Sequence, residues 1–227
     1  MAKERFITRL FNHAHNKCNK LGLNLLIDDD FDTMLDVGYG DGKTTWKFHN
    51  ALGIHETYGL DANPKKVFFI KGIKSDLNEE FPFMAGQFDL ILSSQSIEHL
   101  HNTRFFLEEC YRVLRPNGKI LIMTENLASW INIFALLMGW TPFSLTNTDG
   151  WNIGNPIMKR DETKEDDYIF QETHYRNSGM VGHVRVLTYD GLKDIMTRVG
   201  FKTKIYSTGF CGFKKHGHFL VALGEKI

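Results

Sequence analysis

The heptapeptide Asp36-Val37-Gly38-Tyr39-Gly40-Asp41-Gly42 places glycines at alternate positions, with Asp36 at its head. Glycine lets a backbone turn tightly and lets a ligand approach without a Cβ in the way. Asp61 stands nineteen residues beyond Gly42, where a carboxylate can hydrogen-bond ribose hydroxyls. Three ligands could explain such a loop. A P-loop needs G-x-x-x-x-G-K-[ST]; Gly42-Lys43-Thr44 supplies its end, but its first glycine falls at Val37. A dinucleotide fingerprint has its third glycine three positions after the second, whereas here it comes two after. Asp36 would also repel a pyrophosphate. The same carboxylate suits an ammonium group, and S-adenosylmethionine has one, with a ribose for Asp61 and no phosphate.

These residues need strand ends to hold them, because ligands of open α/β sheets bind outside the carboxyl ends of the strands. Short apolar runs alternate with helical patterns along the chain, which predicts a parallel α/β sheet. Strands are expected at 33–38, 56–61, 72–76, 88–94, 119–124, 201–207 and 218–223. A helix is expected over 43–52, stopped by Gly53, and Pro64 suits the first turn of another. Phe106, Cys110, Val113 and Leu114 form one buried helical stripe, and Leu192, Ile195, Met196 and Val199 another. Residues 1–22 predict a covering helix carrying Phe6, Leu10 and Phe11. Residues 127–182 break the rhythm and predict an insertion or lid, with a solvated charged loop at 159–167.

The chain has 227 residues, 42% hydrophobic and 24% charged, which excludes disorder and collagen-like structure. Basic and acidic residues balance at 27 each, so no global field draws nucleic acid or an anionic membrane. Cys18, Cys110 and Cys211 have neither zinc-ligand nor redox spacing, and an odd count fits a reducing compartment. The first residues lack the apolar core of a signal peptide. The uncharged run 127–148 is too polar to span a bilayer. A cytoplasmic location is the expectation.

At its strand ends the chain resembles the class I S-adenosylmethionine-dependent methyltransferases of the small-molecule type. LDVGYGDG (35–42), YGLDANP (58–64), KSDLNEEFPF (74–83), FDLILSSQSIEHL (88–100), LRPNGKILIMTEN (114–126) and HVRVLTYDGLKDIMTRVGF (183–201) carry the resemblance. It implies an α/β, doubly wound, mostly parallel seven-stranded Rossmann-like sheet. The last strand would run antiparallel, with an insertion after the fifth. One domain would span 1–227, with its cofactor-binding half at 33–126, the insertion at 127–182 and the rest of the sheet at 183–227. Gly38, Tyr39 and Gly40 would lie against the methionine part, and Asp36 near its ammonium. Asp61 would hold the ribose, Ala62 would sit beside the adenine, and Asp76 and Leu77 would contact it. Ser93, Ser94 and Gln95 would lie between cofactor and acceptor. Two alternatives stay open: Asp76 as a turn cap and Tyr39 as a packing aromatic.

Methyl transfer from a sulfonium needs alignment above all, and a base when the acceptor is a hydroxyl. Histidine is the usual candidate at neutral pH. His183, at the junction between Gly179-Met180-Val181-Gly182 and an apolar run, is the preferred catalytic candidate. His99, in Gln95-Ser96-Ile97-Glu98-His99, is the second, with a packing role beneath the cofactor loop as its alternative. A few relatives hold a divalent metal with E-x-x-E-H and a later histidine. Gln95 replaces the first glutamate, so no metal is expected. His13, His15, His101, His216 and His218 read as surface residues. Trp130, Phe134, Leu137, Met138 and Trp140, with Tyr168, Phe170 and Tyr175, predict a pocket lining or a satellite core. An apolar lid favours a small or lipid-like acceptor over folded RNA. Oxygen is the expected acceptor atom. Nitrogen or carbon, and a fold that holds cofactor or a partner without turnover, remain alternatives.

Overall fold

A computed structural model describes residues 2–148, 151–158, 182–208 and 215–227. Seven strands form one sheet: β1 (Thr33–Val37), β2 (Glu56–Asp61), β3 (Ile70–Lys74), β4 (Phe88–Ser94), β5 (Leu114–Glu125), β6 (Phe201–Thr208) and β7 (Phe219–Lys226). Their order is β3-β2-β1-β4-β5-β7-β6. The pairs from β3 to β5 are parallel, and β7 runs antiparallel to both β5 and β6. The sequence reversal between β1 and β4 makes a switch point, and the glycine loop follows β1 there.

Helices cover both faces, so the central strands bury apolar side chains on both; β4 buries Phe88, Leu90, Ile91 and Leu92 completely. On one face α1 (Ala2–Asn24) and α2 (Lys43–Leu52) bring Cys18 and Phe48 against Leu90, Leu121 and Val221. On the other, α3 (Thr103–Val113) and α5 (Tyr189–Val199) bring Phe106, Cys110, Leu192 and Met196 against Leu35, Ile91 and Ile122. Removing a ring such as that of Phe106 from this packing costs about 3–5 kcal/mol. Gly53, at φ 64°, closes α2 in the left-handed conformation that glycine tolerates.

Several boundaries differ from the sequence expectation. No helix follows Pro64: residues 62–69 link β2 to β3 directly, and Phe68 and Phe69 pack against Trp46 of α2. The link is too short for a helical crossover. β3 starts two residues earlier than the alternation suggests. β5 starts before the expected 119–124, and Pro116-Asn117-Gly118 lies inside it as an irregularity, with Asn117 at φ 63°.

Within the insertion, α4 (Trp130–Leu137) buries Asn132 and Ala135, while Trp130, Phe134, Leu137 and Met138 are exposed. Phe134 meets the half-buried Trp140 edge-on, ring centroids 5.9 Å apart. The charged loop 159–167, the rings of Tyr168, Phe170 and Tyr175, and Cys211 lie outside the described residues, and Phe6, Leu10 and Phe11 lie outside the described side chains. Among the described residues no helix is long and apolar enough to cross a membrane.

Candidate active site

The loop after β1 is held open by three left-handed glycines, Gly38 (φ 82°), Gly40 (φ 56°) and Gly42 (φ 75°). They serve different ends. A Cβ on Gly38 would run into Ser96, and one on Gly42 would meet Val67 and Ile70 at 3.2 Å. At Gly40 nothing lies within 4 Å of that position, so the backbone there faces open space. Asp61 at the end of β2 braces this loop, its Oδ2 accepting from the Gly40 N–H at 2.9 Å and its Oδ1 from the Asn63 N–H at 2.9 Å.

Asp36 is 2% exposed, and its Oδ2 accepts from Thr45 Oγ1 at 2.6 Å. Its Oδ1 is buried with no hydrogen-bond partner among the described residues. Burial raises its pKa from 3.8 to about 7, against the Thr45 hydrogen bond. An uncompensated buried carboxyl beside an open glycine loop is what a ligand's ammonium group would complete.

The other expected cofactor residues divide into backbone and side-chain cases. The Tyr39 ring occupies the space above Gly59 and Gly72, where a Cβ would overlap it, and its hydroxyl donates to the Lys65 carbonyl at 2.8 Å. Its side chain is a packing element, leaving only its backbone to line the loop. Interior-strand glycines mark such a close approach, and Gly59 and Gly72 are the signal that sequence reasoning passed over. Ala62 and Asp76 are exposed. Asp76 Oδ1 caps its own turn, accepting from Asn78 N and Asn78 Nδ2, each at 2.8 Å. Leu77 is buried near Gly38. Ser93 is fully buried, Ser94 is half-buried, and Gln95 takes a left-handed φ of 55°. Both the Gln95 N–H and its Nε2 donate to the Met123 carbonyl, at 2.8 and 3.2 Å.

The acceptor-side histidines meet. The rings of His99 and His183 lie 4.8 Å apart, T-shaped. The backbone closes this contact, because the Glu98 carbonyl accepts from the N–H groups of Val184 and Arg185 at 2.8 and 3.0 Å. His183 Nδ1 lies 2.6 Å from the Ser144 carbonyl and 3.8 Å from Glu125 Oε2. A carbonyl only accepts, so this Nδ1 carries a hydrogen, and in the neutral imidazole Nε2 then has the lone pair. Ser144 is itself pinned by Asn132, whose Nδ2 donates to Ser144 Oγ at 2.8 Å and to the Asn126 carbonyl at 3.0 Å.

Sequence reasoning treated Glu98 only as a neighbour of His99. It is fully buried, its Oε2 accepts from Thr124 Oγ1 at 2.8 Å, and burial raises its pKa to about 7. Glu125 was not singled out either. His15, His216 and His218 are half-buried rather than surface residues. His216 Nδ1 donates to the Ala128 carbonyl at 2.7 Å, and burial lowers the His218 pKa.

Residues 35–122 match the family model described as a methyltransferase domain. Norajmaline N-methyltransferase of Rauvolfia serpentina is 32% identical over 103 residues, 40% of this chain and 35% of that protein. The mitochondrial ubiquinone biosynthesis O-methyltransferase of Rattus norvegicus is 29% identical over 109 residues, 41% of this chain and 30% of that protein. The chain thus matches about a third of the length of these relatives. In fold it is similar to an S-adenosylmethionine-dependent methyltransferase of Mesorhizobium loti, with a TM-score of 0.58 and 18% identity over 92% of this chain and 98% of that one. Strand order, the glycine loop and the match over residues 35–122 together support a class I S-adenosylmethionine-dependent methyltransferase domain in this part of the chain.

Proposed function

We propose that the chain transfers a methyl group from S-adenosylmethionine to a small-molecule acceptor, with oxygen as the acceptor atom. The observation that carries the cofactor reading is the half-satisfied buried Asp36 beside the open backbone at Gly40. In this reading Asp36 receives the ammonium group, and the backbone of Gly38, Tyr39 and Gly40 lies along the methionine part. Asp61 takes the ribose hydroxyls while it braces Gly40. Ala62, Asp76 and Leu77 border the adenine, and Ser93, Ser94 and Gln95 separate cofactor from acceptor. The sulfonium already activates the methyl carbon, so alignment and exclusion of water are the main tasks left to the protein.

The oxygen reading rests on His183. Its Nδ1–H is committed to Ser144, so a neutral imidazole presents an accepting Nε2, the form that takes a hydroxyl proton as the methyl arrives. His99 beside it orients that ring. A second reading, an amine acceptor, is favoured by the two carboxylates Glu98 and Glu125, which would attract a cation.

Isotope-labelled S-adenosylmethionine incubated with the protein and a pool of small alcohols, phenols and amines tests both. Labelled ether products are expected. Labelled amines alone would favour the second reading, and cofactor binding with no product from any pool would leave a binding module. Calorimetry with S-adenosylhomocysteine checks the site separately.

A further inference from the structure

Glu98, His99 and His183 each offer one ligand atom, and the three atoms lie within 4.8 Å of one another. Glu98 and His99 come from the turn after β4, and His183 from the chain entering α5. The two backbone hydrogen bonds to the Glu98 carbonyl make that meeting part of the fold. The Glu98 carboxyl is completely buried, and its Oε1 has no hydrogen-bond partner among the described residues. Buried charges are normally paired or bound to a metal.

Metal-binding histidines usually donate their second nitrogen to a carbonyl or carboxylate, and metal-binding carboxylates are themselves hydrogen-bonded. Both outer contacts are in place. His183 Nδ1 is held by Ser144, which leaves Nε2 to bind, and Glu98 Oε2 is held by Thr124, which leaves Oε1. Gln95 does not extend the set, because its amide nitrogen is turned onto the Met123 carbonyl.

We propose that Glu98, His99 and His183 form a binding site for one divalent transition-metal ion of the Zn²⁺ type. Two imidazoles and one carboxylate suit zinc, cobalt or iron, whereas magnesium and calcium prefer oxygen ligands throughout. Bonds of about 2.0–2.2 Å require the three ligand atoms to close to about 3–3.5 Å, so the ion would draw the side chains together from their metal-free positions. Three protein ligands leave a coordination position open, as catalytic zinc sites do. Binding of the ion does not depend on the oxygen-methylation reading. Its role does rest on that reading: the open position would take the acceptor oxygen, the metal's charge would let the hydroxyl release its proton to solvent, and the oxygen would then take the methyl as S-adenosylhomocysteine leaves. An ion on Nε2 excludes proton acceptance by the same nitrogen, so His183 would then act as a ligand.

The full chain, stripped with a chelator and dialysed, is titrated with Co²⁺ and followed by its visible absorption. One equivalent should bind with the spectrum of a low-symmetry site, and Zn²⁺ should displace it. Glu98→Gln and His183→Asn should each weaken Co²⁺ binding at least a hundredfold, and Thr124→Val about 10–100-fold, the range typical of outer contacts. S-Adenosylhomocysteine affinity should hold in all three and serves as the folding control. If Glu98→Gln fails that control, His183→Asn and Thr124→Val decide. No cobalt spectrum at micromolar metal, or binding unchanged in His183→Asn, overturns the site. Stoichiometric metal without methyl transfer to any acceptor sustains the site and defeats only the reaction. Full methyl transfer by protein that binds no metal defeats the site and leaves the reaction standing.

Discussion

The two ends of the site are built in opposite ways. On the cofactor side the shape is made by backbone, through left-handed glycines, and the polar side chains are largely satisfied within the loop. Asp61 holds Gly40, Asp76 holds Asn78, and Tyr39 holds Lys65. On the acceptor side the shape is made by side chains from distant segments: Glu98 and His99, Glu125, Ser144 and His183. Each side keeps one buried carboxylate oxygen with no hydrogen-bond partner among the described residues, Asp36 Oδ1 and Glu98 Oε1, but on the acceptor side a histidine is also fixed by a carbonyl far away in sequence. A backbone-built site tolerates many side chains but few added Cβ atoms. A side-chain site is the reverse, so mutations should separate the two.

The largest effect should fall on the acceptor side. His183→Ala and His183→Gln should reduce turnover by roughly 10²–10⁴, the range for losing a positioned proton acceptor. Affinity for S-adenosylhomocysteine should stay within about twofold, because His183 contacts Ser144, Glu125 and His99, all on the acceptor side. Near-normal turnover in either variant would remove His183 from the chemistry. Asp61→Ala should show the opposite pattern. It removes hydrogen bonds to a charged acceptor, worth about 1.5–3 kcal/mol each, and also frees Gly40. Cofactor affinity should fall about a hundredfold or more by calorimetry. An unchanged affinity would defeat the cofactor assignment.

The glycines should then divide among themselves. Gly38→Ala puts a Cβ into Ser96; turning the hydroxyl away still leaves Ser96 Cβ at 2.9 Å. Left-handed strain of about 1–2 kcal/mol adds to that overlap, so urea unfolding should show a loss of about 2–4 kcal/mol. Gly40→Ala meets open space and should lose only the strain, about 1–2 kcal/mol, while cofactor binding falls. Equal destabilisation by the two would mean that the loop at Gly40 is packed rather than exposed to a ligand.

This division also explains what could be read from the residues alone. β1 and β2 end where a glycine or an acid residue punctuates an apolar run, and β4 where one runs into Ser93 and Ser94, so the strand ends and the loop were legible from local pattern. The helix expected after Pro64 fails because propensity says nothing of how short the β2–β3 link is. Tyr39 looked like a cofactor contact because its partners Gly59 and Gly72 lie on other strands. Glu98 was quoted as half of a Glu-His pair, yet its burial and its tie to residues 184 and 185 arise only on tertiary closure. No spacing rule links 98 to 183, or 144 to 183. The acceptor side was therefore legible as a set of residue types but not as an assembly.

The smallest predicted effect concerns protons at Asp36. In the folded protein, burial raises its pKa to about 7 from an ordinary value of 3.8. Between those values the folded chain keeps a proton that the unfolded chain has released. The folded state then binds more protons, so this group's contribution to stability declines as pH rises through the window. An ammonium group at Asp36 has the opposite preference and favours the carboxylate. Cofactor binding below about pH 7 must therefore expel the proton, and affinity should rise with pH, by at most about tenfold per unit for one proton. Above about pH 7 the dependence should flatten. Glu98 is raised into the same range, so the wild-type slope alone does not identify the group. Asp36→Asn supplies the control: it should bind more weakly and lose the slope, while Glu98→Gln retains it. Calorimetry in buffers of different ionisation enthalpy would count the released proton directly. A flat wild-type profile between about pH 5.5 and 7 would mean that no positive charge of the ligand reaches Asp36, as would a slope unchanged in Asp36→Asn. The methionine part would then have to be held by the backbone alone.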